Sequence, residues 1–467
     1  MSGAGMNPAV LSAQYSAVPD EITSSKRPKA MPMSVRGVAI PSSSGTQTSG
    51  GQLLFQLSSK TSFIKPGSMY LKARISLTAA GNANGANAAF VAFSNQCRNA
   101  SSIIDKFTVS CGPVLESIQN YGSSYVPTLL LHAGSQSYIN ADDGLLEGGK
   151  RALYLPANGV GAYPLYPSLG YTSTVTNQWV DLDAACTAAN VALANTFIDV
   201  CLPIYSNLFQ NEKAVPLALF EQALLLQFDL APFGKAFSIT YANLYSDYSV
   251  SSAFIVYDLI TPPNEFLMTT KAEMAQGALY SIPFVSVLSS QFAKGGQSTT
   301  FNWGVGLSSL LAVTYSCLVA PTVVTDAKYL MSDNTIGVTT NNNFRLMIDG
   351  QQQQSAIMDT SAIRFAELQK CFGTLGDVSR TSSSTGLLVA GMPGQFTITP
   401  QLYEYSCFVG GLNTTKCQEN LAFTGTACNQ ISMMLDTGNA NTNLVLCNAW
   451  HQRILVCSPD GSVSIVL

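Results

Sequence analysis

Charge is scarce in this sequence. Of its 467 residues only 11% are Asp, Glu, Lys or Arg, where soluble domains average about 25%. Basic and acidic residues number 23 and 27, a net charge of −4. No cation excess exists to displace counterions from phosphate, which excludes a basic nucleic-acid binder. Histidine is nearly absent. Only His132 and His451 occur, which removes most imidazole-based catalysis and most zinc or iron sites. Long apolar runs are missing too. The longest candidate, Val215 to Phe233, carries Glu221 and Asp229, and nothing approaches the ~20 residues of a membrane-spanning helix. The first residues, Met1-Ser-Gly-Ala-Gly-Met-Asn-Pro8, lack the charged start and apolar centre of a secretory signal, so synthesis in a cytosol-like compartment is expected.

Paired cysteine motifs are absent as well. The 11 cysteines (97, 111, 186, 201, 317, 371, 407, 417, 428, 447 and 457) form no C-x-x-C. An odd number at scattered spacing reads as buried free thiols acting as small hydrophobes, not as a disulfide framework. Sequons at Asn99 and Asn413 read as chance occurrences in a chain without a secretory signal.

What is present is apolar. Hydrophobic residues make up 47% of the chain, with 36 Gly and 21 Pro, far too much Leu, Val, Ile, Tyr and Phe for disorder. A folded monomer of this mass exposes roughly 17,000 Å², or about one charge per 340 Å². Neutral Ser, Thr, Asn and Gln and residual apolar surface must cover the remainder, and such a surface favours association.

Residues 1–50 read as an arm: Ala, Ser, Gly and Pro without sustained period, ordered only against a neighbour. Its one basic cluster, Lys26-Arg27-Pro28-Lys29, reads as a solvated kink, with nuclear import or a phosphate contact as the alternative. Strand patterns dominate afterwards, bounded by Gly, Ser and Pro. They fall at 52–57, 69–77, 103–109, 197–204, 223–230, 253–260, 278–285, 311–319, 404–409, 431–435, 443–447, 453–457 and 462–467. Helices are expected at 359–373, opened by Asp, Thr and Ser and closed by a Gly, and at 264–277 after Pro262-Pro263. Long polar connections at 81–88, 134–177, 331–354 and 379–400 suit loops projecting from a rigid β scaffold. Two β modules of roughly 200 residues follow, meeting near 235–250. The likeness of Cys201-Leu-Pro-Ile-Tyr-Ser206 to Ser281-Ile-Pro-Phe-Val-Ser286 is too isolated to mark a duplication.

Catalytic signatures fail one by one. Gly144-Leu-Leu-Glu-Gly-Gly149-Lys150 fits a phosphate loop, but Arg151 stands where the magnesium-binding hydroxyl belongs. Asp142, Asp143 and Glu147 match no EF-hand spacing. There is no G-x-S-x-G, and His451 reads as a packed or hydrogen-bonded residue ahead of a terminal strand. No catalytic, cofactor-binding or metal-binding residue is nominated, and no cofactor is expected.

Several stretches in order resemble the double jelly-roll major capsid proteins of viruses, especially those of polinton-like viruses, adintoviruses and virophages. They are Phe63-Ile-Lys-Pro-Gly-Ser-Met-Tyr-Leu71; Ile103 to Glu116 with Ile118-Gln-Asn-Tyr121; Phe197 to Ile204, Val215 to Phe220 and Leu224 to Asp229; Phe344-Arg-Leu-Met-Ile-Asp-Gly350 with the helix Ser361 to Phe372; and the closing Arg453 to Ile465. The likeness spans about residues 50–467, without a counterpart for the arm.

The resemblance implies an all-β chain of two consecutive eight-stranded antiparallel jelly rolls with a few short helices and long loops. Its divisions would be an arm at 1–50, a first roll at 51–240 and a second at 241–467. It implies a non-enzymatic major capsid protein whose pseudo-hexagonal homotrimers tile an icosahedral shell around a DNA genome. Neighbouring capsomers, penton and minor capsid proteins would be partners, and an underlying membrane is compatible with the scheme. The location would be the virion, after assembly inside the host cell, without sequence-specific nucleic-acid binding. An arm totalling +2 (Lys26, Arg27, Lys29 and Arg36 against Asp20 and Glu21) is too weakly basic to package a genome directly. Two rival readings stand beside it: a carbohydrate-binding β-sandwich surface or fibre protein, which needs aromatic platforms or Ca²⁺-binding acidic loops, and a β-rich hydrolase, which needs a nucleophile and base.

Overall fold

The computed structural model describes residues 33–79, 89–95, 99–130, 151–155, 163–164, 172–173, 178–181, 197–211, 213–239, 245–293, 298–319, 331–332, 343–353, 358, 360–372, 408–415, 425–436 and 443–466. Alternation of side chains builds the first module. In Gln52–Leu57 the burial alternates strictly, with Leu53, Phe55 and Leu57 inside. In Leu224–Leu230 the inward set is Leu224, Leu226, Phe228 and Leu230. Because successive residues of a strand face opposite ways, each such run presents one apolar face.

Eight main strands follow in chain order: β1 (Ser34–Pro41), β2 (Gln52–Leu57), β3 (Tyr70–Ala79), β4 (Ile104–Ser110), β5 (Val114–Gln119), β6 (Phe197–Pro203), β7 (Leu224–Leu230) and β8 (Tyr245–Thr261). They pair antiparallel in two leaves, ordered β1-β8-β3-β6 and β2-β7-β4-β5. Consecutive strands switch between leaves except at the β4–β5 hairpin, and the first pairs with the last, which is a jelly roll. On the inner face of the β2-β7-β4-β5 leaf Phe228 meets Phe55 edge-on at 5.9 Å and Phe107 at 4.9 Å. Each fully buried side chain of this size stabilises by roughly 1.5–3 kcal/mol. A smaller four-stranded sheet adds 89–93, 151–155, 178–181 and 237–239.

The second module repeats this order with one economy. Its main strands are β9 (Tyr280–Ala293), β10 (Ser298–Val319), β11 (Asn343–Ile348), β12 (Gln351–Gln352), β13 (Gly410–Asn413), β14 (Thr426–Asp436), β15 (Asn443–Cys457) and β16 (Val463–Val466). The first half of β10 pairs with β14, giving β10-β14-β11-β12; its second half pairs with β15 and β13, giving β9-β15-β10-β13. One strand thus serves both leaves. It turns the corner through register shifts between Gly304 and Leu307 and between Leu307 and Leu310, where Gly306 takes a left-handed φ of 58°. Bulges and glycine are how a strand changes sheets. The second core, including Tyr315 stacked on Phe344 at 4.2 Å, lies between these leaves.

Ser34–Pro41, assigned to the arm, is β1 and pairs residue by residue with β8 from Thr261 to Phe254. It escaped notice because its outward face is open and only Val38 and Ile40 are half-buried, so no apolar alternation stands out. The last strand of this leaf, β8, runs on to Thr261. The modules are joined across α1 (Asn264–Ala275), which starts after the two prolines as expected.

The 331–354 connection contains the β11–β12 hairpin, turned by Asp349 and Gly350 at φ 49° and 80°, the left-handed pair of a type I′ turn. Strand Arg151–Leu155 likewise interrupts the expected 134–177 loop. The second helix, α2 (Ser361–Cys371), is capped by Thr360, whose hydroxyl accepts from the Ile363 N–H at 3.3 Å. Residues 1–32, including the 26–29 cluster, lie outside the described residues, as do 81–88, His132, the 142–150 loop and 379–400.

Candidate functional site

In a chain of two sandwiches, the structure between them decides how they present themselves to other molecules. The core of the first roll does not stop at its own strands. Ile282, Phe284 and Val287 of β9, Ala312 of β10, and Trp450, Leu455 and Cys457 of β15 belong to the same buried cluster as Leu53, Phe107 and Phe228. The two rolls therefore share apolar burial along a seam.

The seam starts at β5. Its burial pattern closes around Glu116, which is completely buried. Asn120 then takes a left-handed φ of 52° and the chain enters a π-helical turn, Tyr121–Tyr125. Gly122 is required there, because a Cβ would overlap the Ser101 carbonyl and come within 2.9 Å of the Ser102 nitrogen. That opposing backbone cannot retreat. The Asn95 amide donates to Asn99 Oδ1 at 2.7 Å, Ser101 Oγ at 2.9 Å and the Gly122 carbonyl at 3.1 Å, and all these groups are buried. A buried network with every member paired is rigid. The Asn99 sequon thus sits inside the protein.

The turn delivers two aromatic rings. Tyr121 OH accepts from the Tyr205 N–H at 2.9 Å. Tyr125 stacks on Trp450 of the second roll at 5.5 Å, and Phe372 meets the same indole edge-on at 5.7 Å. The indole N–H donates to Thr314 Oγ1 at 2.9 Å. Beside it Ser289 donates to Asn448 Oδ1 at 2.8 Å, and the Asn448 amide reaches Ser124 at 3.5 Å.

Segment 205–222 closes the other side. β9 is the edge strand of its leaf, and an edge exposes unpaired carbonyls that invite foreign strands. Here alternate carbonyls are taken by side chains of the first roll. Lys213 Nζ donates to Ser281 O at 3.1 Å, the Asn211 amide to Pro283 O, and the Asn207 amide to Val285 O at 2.9 Å. Tyr280 OH returns a bond to Ala214 O at 3.1 Å, and Glu221 N–H donates to Gly461 O at 2.9 Å.

At the centre, Glu116 accepts from the hydroxyl of Ser206 and, at 3.5 Å, from that of Ser286. These serines end the two look-alike hexapeptides, 201–206 and 281–286. The segments occupy different strands of their rolls, β6 and β9, so the likeness is no duplication; both simply deliver a donor to one carboxyl. Burial pushes that carboxyl up to about 7, against the opposing pull of Ser206, Arg453 and Ser286.

Arg453 of β15 donates through Nη1 to Leu115 O at 2.9 Å and through Nε to His451 Nε2 at 2.8 Å. His451 is buried inside β15, not ahead of a strand. Its Nδ1 lies 3.2 Å from Ala449 O, and burial together with the Arg453 charge lowers it to about 4. The packed, hydrogen-bonded role expected for it holds. Tyr125, raised well above its ordinary range by burial, stays a neutral phenol.

The arrangement holds two sandwiches rigidly and offers little chemistry. Its hydroxyls face a buried carboxyl, and its imidazole faces a guanidinium where a nucleophile would be needed. Among the described residues no group of three or more His, Cys, Asp or Glu could hold a metal ion. No described helix is long and apolar enough to cross a membrane. The seven described cysteines are free thiols, as expected, Cys111, Cys317, Cys428, Cys447 and Cys457 being buried.

No family model matches the sequence, and no curated protein matches it. Solved structures do match. The Faustovirus major capsid protein aligns over 92% of both chains at TM-score 0.58 and 8% identity. The PBCV-1 virus capsid, as a quasi-atomic model, covers 96% of this chain and 99% of its own at 0.52 and 11% identity. The Sputnik virophage structure from cryo-EM covers 95% and 90% at 0.51 and 13% identity. At such identities the likeness is one of fold: this chain has the double jelly-roll fold of viral major capsid proteins, over nine-tenths or more of each chain.

Proposed function

We propose that the chain is a viral major capsid protein, with a structural rather than catalytic role. The observation that carries this reading is a pair of rolls of one topology locked by a shared core and a hydrogen-bonded seam. A threefold axis beside such a rigid pair sets six similar sandwiches in a ring, and a near-hexagonal unit tiles a closed shell. Homotrimers are therefore the unit, neighbouring capsomers the main partners, and penton and minor capsid proteins fill positions the hexagons leave open. The scarcity of charge fits surfaces that are covered in the assembly. A net charge of −4 fits a shell that encloses DNA without gripping it, and the virion is the place of action.

The carbohydrate-binding alternative gains no support from the described aromatics: Trp450 lies buried in the seam and Trp303 packs half-buried against Phe292. The test is light scattering and electron microscopy of the purified chain. Trimers of hexagonal outline are expected; a stable monomer at micromolar concentration would overturn the reading.

A further inference from the structure

Glu116 and His451 stand on opposite sides of the seam, and Arg453, the cation beside both, commits its Nη1 to the Leu115 carbonyl and its Nε to the imidazole, with no ion pair to the carboxyl. The carboxyl is fully buried against two hydroxyls and, among the described residues, forms no ion pair. The imidazole accepts at Nε2 from a guanidinium that is always charged and lies with Nδ1 against a carbonyl. A second proton on that ring would set two cationic donors head to head. The geometry calls for a neutral acid beside a neutral base.

We propose that the seam is a proton-compensated joint: as it forms, Glu116 takes up one proton and His451 releases one, so the joint forms without net proton exchange in mildly acid solution. In the unfolded chain between about pH 4.5 and 6.5 the carboxyl is ionised and the imidazole protonated. In the formed seam the same single proton sits on Glu116. Charge is conserved and the proton count is unchanged. The groups facing Glu116 are Ser206 of the first roll, Ser286 of β9, Arg453 of β15 and the phenol of Tyr125. Arg453 is the charged group facing His451. The Tyr125 phenol stays neutral and the guanidinium stays charged throughout this range, so of these facing groups only Glu116 and His451 exchange protons.

The directions of both shifts agree. Glu116, raised from 4.5 to about 7, adds stability that is complete below pH 4.5 and is lost as pH rises through 7. His451, lowered from 6.5 to about 4, adds stability that is complete above pH 6.5 and is lost as pH falls towards 4. Between 4.5 and 6.5 the slopes are equal and opposite. The inference concerns the monomer's joint and stands apart from the capsid reading.

The experiment is denaturant unfolding from pH 4.5 to 7.5 of the full chain and of E116Q, H451Q and the double variant. Relative to wild type, the unfolding constant of E116Q should rise about tenfold per pH unit as pH falls from 6.5. That of H451Q should fall by the same factor, and the double variant should run parallel to wild type. Single variants parallel to wild type would overturn the proposal.

Two readouts on the folded wild type apply even if a variant folds poorly. The chain has two histidines, so carbon-13 histidine NMR gives two resonances, one of which should stay neutral down to pH 5. Infrared spectroscopy at pH 6 should show a protonated carboxyl. Two imidazoles titrating near 6.5, or no such carboxyl band, would refute the joint.

Discussion

Replacing Trp450 by Ala should split one melting transition into two. The indole is 6% exposed, stacks on Tyr125, supports Phe372 and donates to Thr314. Truncating a buried Trp costs about 3–5 kcal/mol, and the lost hydrogen bond about 1 more. Unfolding entropy is about 2.1 cal/mol/K per residue, so a cooperative unit of both rolls carries roughly 0.9 kcal/mol/K and a single roll about half of that. A loss of 5 kcal/mol therefore lowers a shared transition by about 5 °C, and a roll that has come loose by about 10 °C. Differential scanning calorimetry separates the cases. Wild type should melt in one peak, and Trp450→Ala in two, the lower displaced by about 10 °C. Leu346→Ala, in the second core and fully buried, costs a similar 2–5 kcal/mol and should keep a single peak. One peak displaced by only about 5 °C for Trp450→Ala would refute the idea that this ring couples the rolls.

Gly122→Ala should cost at least the 1–3 kcal/mol of ordinary overpacking, because Ser101 is pinned, and should reduce soluble yield; an unchanged melting temperature would contradict the clash. The double change Asn207→Ala with Asn211→Ala uncovers two carbonyls of β9, at about 1–3 kcal/mol each, and should raise aggregation measured by light scattering on mild heating. Removing residues 1–50 deletes β1 and bares one edge of β8, so it should lower the melting temperature and solubility. Removing residues 1–32 leaves β1 whole, and in the capsid reading should spare trimers while impairing shell assembly, as scored by electron microscopy.

Much of the architecture was legible because burial of one face forces alternation. Gln52–Leu57 was read with its observed bounds, and Leu224–Leu230 within one residue. Strands whose pattern is broken by seam residues were harder. β15 was read as two halves because Asn448, His451 and Gln452 interrupt its apolar run, although all three lie within one 15-residue strand. β5 was missed because a glutamate sits mid-strand on a buried face. The seam itself was invisible. Ser206 and Ser286 reach Glu116 from 90 and 170 residues away in sequence, and no local period encodes such a meeting. The likeness of their two hexapeptides was the one available signal, and it points to convergence on a carboxyl only once the fold is known.

The pairing of Ser34 with Thr261 also sets a timetable. The first roll cannot close until its last strand has been synthesised, since β8 lies between β1 and β3 in the leaf. Chains grow at about 5–20 residues per second, so the second roll takes roughly 10–40 s more to emerge. Domains dominated by such distant pairings fold in milliseconds to seconds. The first roll is thus complete on the ribosome while its partner is still being made, and for that interval segment 205–222 and Glu116 face water. β9 is the next strand to arrive, but its sheet partner is β15, which ends at Cys457. The face is therefore covered only when the second roll closes, and until then it is the surface by which one nascent copy could meet another.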